Sequence, residues 1–257
     1  MHAHVASYNT GMRQDVAAKL RQINREFYET FAEEFASTRR RLQPGALRAI
    51  LAVSHQASVL DLGCGAGELA RGLAKRGHRG PYLGIDASPF ILDLARERAR
   101  FPWARFRLAD LTNDEWAGEM TERYGHIFLL AALHHIPGDE RRIRLLKQTA
   151  ECLAPSGSLT LSVWDFGASP RLRKRVVPWD VVGLTQADVD PDDHLMDWRH
   201  GGVGLRYVHL FSESELSALA LRTGFQVGDR YRSDGEAGRL GLYQVWKRED
   251  RARSATA

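Results

Sequence analysis

Three aspartates and three glycines are the residues whose types and spacing could do chemistry. Asp61 is followed by glycines at every second position, Gly63, Gly65 and Gly67, within "VLDLGCGAGELA". Aliphatic residues run into the acid and helix formers follow the last glycine, so a strand ends at a tight turn and feeds a helix. Such a turn brings backbone N–H groups close to a nucleotide-like ligand. A dinucleotide fold would place a third glycine where Glu68 stands, which this chain lacks. Asp86 lies within "GIDAS" and Asp110 within "RLADLT". Each acid ends its own apolar run, where open α/β sheets bind ligands.

The elements that must position these acids alternate regularly. "SVLDL", "PYLGID", "ARFRLAD", "HIFLLAA" and "SLTLSVWD" read as strands, with helices over 67–76, 88–100 and 139–153. Strand–helix alternation predicts an α/β fold built on a doubly wound, mostly parallel, Rossmann-like sheet. Before it, residues 13–39 read as one or two helices, with Leu20, Ile23, Phe27, Phe31 and Phe35 about a turn apart, and 45–53 as another. Residues 1–54 are thus expected to form an N-terminal helical cap and 55–247 the main domain. Residues 166–204, rich in Arg, Asp, Pro and Gly and without clear period, read as an insertion that could serve as a lid. Regular structure returns with "FSESELSALALRTGF", where Ser212 and Glu215 have capping-box spacing. "FQVGDRYRS" and "RLGLYQVWKR" complete seven strands, and 248–257 form a polar tail.

The 257 residues carry a formal charge of +4 and only two cysteines, Cys64 and Cys152, far apart. Neither a disulfide framework nor a metal site is expected. The longest apolar run, "IFLLAAL", is too short to cross a bilayer, and the N-terminus lacks a signal-peptide core. A cytoplasmic protein is the expectation.

The Asp-x-Gly-x-Gly-x-Gly turn, Asp86, Asp110 and "LLAALHHIP" together resemble the motifs of class I S-adenosylmethionine (SAM) methyltransferases. The resemblance implies that Asp61, Gly63, Cys64, Gly65, Gly67, Asp86, Ala87, Asp110, Leu111 and Ala131 surround SAM, which leaves as S-adenosylhomocysteine. Asp86 would accept from two ribose hydroxyls, Asp110 from the adenine amino group, and the Leu111 amide would face the ring. The plainer alternatives are that Asp86 caps the next helix and Asp110 makes a turn. His134 and His135 fit a loop-packing role better than catalysis.

Outside that core, "YETFAEEFASTR" (28–39), "LRYVHLFSESELSALA" (205–220) and "VVPW" (176–179) are similar to segments of the wobble-uridine tRNA methyltransferases. That family, which includes the methyltransferase domain of AlkB-type tRNA hydroxylases, methylates the carboxylate of 5-carboxymethyluridine. Departures at Ala36, Val208 and "RLQPG" lie near the expected acceptor side. The resemblance implies tRNA as partner, and eukaryotic relatives work with a small zinc-bearing activator protein. A carboxylate is ionised at neutral pH and needs no general base, only cations to hold it in line with the methyl group. Arg39 and Arg206 are the candidates, each alternatively a structural arginine. Tyr28 could reach cofactor or acceptor, or belong to the core. His209 is a candidate acceptor contact, with core packing as the alternative. Arg39–Arg41 and the cluster Arg171, Arg173, Lys174, Arg175 could neutralise RNA phosphates, or be solvated faces. The competing reading is a small-molecule O- or N-methyltransferase, where a hydroxyl acceptor would need a base such as His134, His135 or His209.

Overall fold

The computed structural model describes residues 11–38, 41–113, 115–118, 120–235 and 237–248, with backbone only at Phe35 and Thr38. Helices α1 (Gln14–Thr30), α2 (Ala32–Thr38) and α3 (Pro44–Ala49) precede the sheet. Pro44 opens α3 at a position where its missing N–H costs nothing. Strand β1 (Val59–Leu62) leads to α4 (Glu68–Lys75), β2 (Tyr82–Asp86) to α5 (Pro89–Arg98), and β3 (Ala104–Leu108) to the one-turn α6 (Glu115–Gly118). Then come β4 (Tyr124–Leu130), α7 (Asp139–Cys152) and β5 (Leu153–Trp164). The four residues of β1 are all buried, as expected of a central parallel strand covered on both faces.

After β5 the chain forms α8 (Pro170–Arg173), β6 (Val176–Val177), β7 (Asp193–Trp198) and β8 (Gly204–His209), before α9 (Glu213–Arg222), β9 (Phe225–Ser233) and β10 (Gly241–Arg248). The main sheet has seven strands in the order β3-β2-β1-β4-β5-β10-β9, with β10 antiparallel to both neighbours. This is the expected α/β class. Apolar residues of β1, β4, β5, α7 and α9 make the largest core cluster, which holds Leu60, Ile127, Leu161 and Trp246.

The segment 166–204 differs from its expected irregular form. Strands β6, β7 and β8 form a separate three-stranded antiparallel sheet, which extends past residue 204 and takes in most of the "LRYVHL" segment. Strand β7 hides its period because both faces are enclosed: Asp193, Leu195, Met196 and Asp197 are all buried. Leu195 and Tyr207 pack with Val16 and Leu20 of α1, which joins the small sheet to the N-terminal helices. Ser212 caps α9 through the Glu215 N–H at 3.1 Å. The reciprocal half of the expected capping box is absent, because the Glu215 carboxylate instead reaches His209.

No helix of the described residues is long and apolar enough to cross a membrane. Cys64 and Cys152 are free and buried.

Candidate active site

One cavity of about 470 Å³ opens at the C-terminal ends of β1, β2, β4 and β5. The glycine turn forms its floor. Gly63, Gly65 and Gly67 have φ of 75°, 54° and 80°, a region that side chains avoid. A Cβ on Gly63 would also sit 2.8 Å from the Ala132 Cβ. The turn thus folds only with glycine there, and it exposes backbone to a ligand.

Asp86 fastens this turn from the neighbouring strand. One oxygen accepts from the Gly65 N–H and the other from the Ser88 N–H, each at 3.0 Å. Ser88 rather than Asp86 is the N-cap of α5, its hydroxyl accepting from the Ile91 N–H at 3.4 Å. Burial pushes the Asp86 carboxyl up, against the lowering pull of these backbone donors. Asp61 is buried beneath the turn and accepts from the Tyr82 hydroxyl at 2.6 Å. Burial pushes its pKa up to about 7; the Tyr82 bond opposes this and the charges of Asp86 and Glu68 add to it. Burial likewise holds the Cys64 thiol well above its usual range. Asp110 accepts from the Thr112 N–H at 2.8 Å and hydroxyl at 2.7 Å, a turn-type arrangement, while still lining the cavity with Leu111.

Opposite, Ala131 follows the last residue of β4 with a φ of 52°. Its N–H donates to the Ser162 carbonyl at 3.0 Å and hydroxyl at 3.1 Å, which holds this unfavourable conformation in place. His135 follows within the cavity. Its Nδ1 donates to the Tyr207 carbonyl at 3.0 Å, and its Nε2 lies 3.0 Å from the Tyr28 hydroxyl. Asn24 completes this corner: its carbonyl accepts from the Tyr207 N–H and its amide donates to the Tyr207 carbonyl. His134 stacks on Trp164. Both histidines are therefore built into the wall, in line with a packing role.

The cation at the far wall is Arg206, only 4% exposed. Its guanidinium lies 4.8, 4.9 and 5.0 Å from the ring centroids of Phe27, Trp164 and Trp198. Nothing in the sequence marks these three aromatics, which come from α1, β5 and β7, as one cage. Only the Trp at the end of β5 stands where a ligand is expected.

Two acceptor-side expectations end differently. Arg39 lies outside the described residues, as does Arg40, whereas Arg41 does line the cavity. His209 does not line it. It is 3% exposed, with Nδ1 at 2.7 Å from Asp193 and Nε2 at 2.8 Å from Glu215. Asp193 also accepts from Tyr207 at 2.7 Å and pairs with the buried Arg142 at 3.4 Å. A carboxylate inside β7 needs such donors, and His209 supplies one. Its position makes it part of the insertion's anchor, not a contact for an acceptor. Among the described residues no His, Cys, Asp or Glu cluster could hold a metal ion.

Comparison with known proteins agrees with this geometry. The methyltransferase domain family matches residues 16–229. Trans-aconitate 2-methyltransferase of Variovorax paradoxus is 36% identical over 128 residues, 48% of this chain and 46% of that protein. The mouse tRNA (carboxymethyluridine(34)-5-O)-methyltransferase ALKBH8 is 29% identical over 142 residues, 54% of this chain and 19% of that one. The chain thus spans about half or less of these curated relatives. Among solved structures, the 1,6-didemethyltoxoflavin-N1-methyltransferase of Burkholderia thailandensis, with S-adenosylhomocysteine bound, superposes with a TM-score of 0.61 at 20% identity, over 97% of this chain and 94% of that one.

Proposed function

Because the chain belongs to the methyltransferase domain family, with SAM as its cofactor, we propose that it is a carboxylate O-methyltransferase whose acceptor is a 5-carboxymethyl-type wobble uridine in tRNA. The cradle fits the cofactor: the glycine turn leaves room for it, and Asp86 stands at the strand end with both oxygens already oriented. When bound, SAM supplies a methyl group made electrophilic by its sulfonium.

The chain's own residues supply binding and orientation. Asp86 accepts from the ribose hydroxyls, Asp110 and Leu111 meet the adenine, and Gly63, Cys64, Gly65 and Gly67 let the backbone approach. Ala87 and Ala131 border the cofactor on either side. Arg206 holds the acceptor carboxylate and aims one oxygen at the methyl carbon. Phe27, Trp164 and Trp198 surround its guanidinium, whose planar donor fork suits a carboxylate. They also exclude water, which strengthens the attraction without a proton transfer. His135 is not called upon as a base, since an ionised carboxylate needs none and its Nε2 is engaged with the Tyr28 hydroxyl.

The single observation that carries the carboxylate reading is the buried Arg206 in its aromatic cage at the cavity wall. The tRNA acceptor is supported by the segments at 28–39, 176–179 and 205–220 and by the similarity to the mouse tRNA enzyme. A second reading, a small carboxylic acid as acceptor, is favoured by the 36% identity to the trans-aconitate enzyme and uses the same arginine.

Arg206→Lys tests the carboxylate reading. The variant keeps the charge but loses the planar fork, so KM for the acceptor should rise at least about tenfold with SAM affinity unchanged. An unchanged acceptor KM would sink the assignment.

A further inference from the structure

The insertion carries a basic strip beside the cavity. Arg171 and Arg173 are exposed on α8, with Lys174 exposed just after it. None of the three makes an ion pair among the described residues. Leu172, between them, packs with Phe166, Met196 and Val208 in the cluster that also holds Trp164. The helix is therefore fixed to the outer side of the wall whose inner side cages Arg206.

The strip continues across the small sheet. The Arg175 carbonyl accepts from the Asp197 N–H at 2.8 Å, and its guanidinium lies 3.4 Å from the Asp197 carboxylate. Arg199 reaches the other Asp197 oxygen at 2.5 Å. Asp197 is the one acid that pairs within the strip among the described residues, and it is buried. Of the five cations, Arg175 and Arg199 thus share one carboxylate, and the other three pair with none among the described residues. Between that acid and Arg199 stands Trp198, half-buried, one ring of the cage. Beyond it Val203 is 83% exposed at the β7–β8 turn.

Like charges gathered in this way repel one another, and a polyanion relieves that cost while releasing its counterions. Arginine suits phosphate contacts because of its donor fork. We propose that Arg171, Arg173, Lys174, Arg175 and Arg199 form the seat for the phosphate backbone of an RNA acceptor, with one nucleotide turned past Trp198 into the Arg206 cavity. The inference rests on the RNA reading of the acceptor and adds where the strand lies. Phosphate contacts fix register without reading sequence, so the insertion positions the RNA and the cavity selects the nucleotide. The free cations Arg171, Arg173 and Lys174 should dominate affinity, since Arg175 and Arg199 are partly neutralised by Asp197.

The test uses the full chain with Arg171→Gln, Arg173→Gln and Lys174→Gln combined. These side chains are exposed and form no ion pair among the described residues, so folding is not at stake. The probe is bulk tRNA from cells lacking the terminal wobble methylation, and the readout is affinity against salt concentration. The slope of log affinity on log salt should shrink by roughly two to three, with affinity down about 10- to 100-fold at low salt and SAM affinity unchanged. An unchanged slope and affinity would overturn the proposal. If the wild type methylates tRNA while the triple variant keeps the full slope, the strip is refuted and the RNA acceptor stands. If the wild type binds no RNA but methylates a small carboxylic acid, both the strip and the tRNA acceptor fall, leaving the carboxylate reading. Loss of binding to phosphatidylserine vesicles with RNA binding intact would assign the strip to a membrane surface instead.

Discussion

Asp86 reaches across from the end of β2 to the glycine turn after β1, where its carboxylate accepts the Gly65 N–H at 3.0 Å. One side chain thereby sets the shape of the cradle and supplies the group proposed to meet the ribose.

Asp86→Ala should therefore remove two kinds of interaction at once. Hydrogen bonds to a charged group are worth about 1.5–3 kcal/mol each. SAM affinity should fall at least about 100-fold in calorimetric titration, with the melting temperature lowered only slightly, because the cavity rather than the core loses contacts. Unchanged SAM affinity would show that Asp86 only shapes the turn.

Asp61 predicts a pH dependence of cofactor binding. Its ordinary pKa is 3.8 and burial leads the rise to about 7. A group raised on folding contributes stability that is full below its unfolded value and lost as pH rises through the folded one. In the absence of cofactor, Asp61→Asn should thus gain stability relative to wild type as pH climbs from about 4 to about 7, and then hold that advantage. Asp61 lines the cavity, so a cation bound there would favour its ionised form. Calorimetry in buffers of different ionisation heat should therefore show release of roughly one proton on SAM binding near pH 6 and almost none above pH 8. Proton release independent of pH would contradict this account.

His209 predicts a stability effect rather than a catalytic one. Burial lowers its pKa, yet the hydrogen bonds to Asp193 and Glu215 outweigh that and raise it overall. The stabilisation it brings is full below the ordinary histidine value and lost as pH rises through the raised one. His209→Ala leaves Asp193 short of a donor and should cost roughly 3–5 kcal/mol in denaturant unfolding at pH 6, less at pH 9. At a temperature where the variant is folded, its acceptor KM should match the wild type. A raised KM with unchanged stability would return His209 to the acceptor site.

The candidate cofactor side of the cavity was legible because its residues sit at successive strand ends within short motifs. Gly63, Asp86 and Asp110 each announce themselves locally. The proposed acceptor side was not. Its cage brings Phe27 and Trp164 from far along the chain onto Trp198 and Arg206 of the β7–β8 pair, and only folding shows that they meet. The small sheet escaped notice for a related reason. Asp193 and Asp197 are buried, so β7 shows no alternation of apolar and polar residues, and the charges that mask the pattern are satisfied by Arg142, Tyr207, His209 and Arg175 from elsewhere in the chain.

Radiolabelled SAM offered with tRNA that lacks its terminal wobble methylation tests the central claim most directly. The account predicts label that enters the tRNA and is released by mild alkali, the signature of a methyl ester. Alkali-stable label in tRNA, or label entering only small molecules, would contradict it.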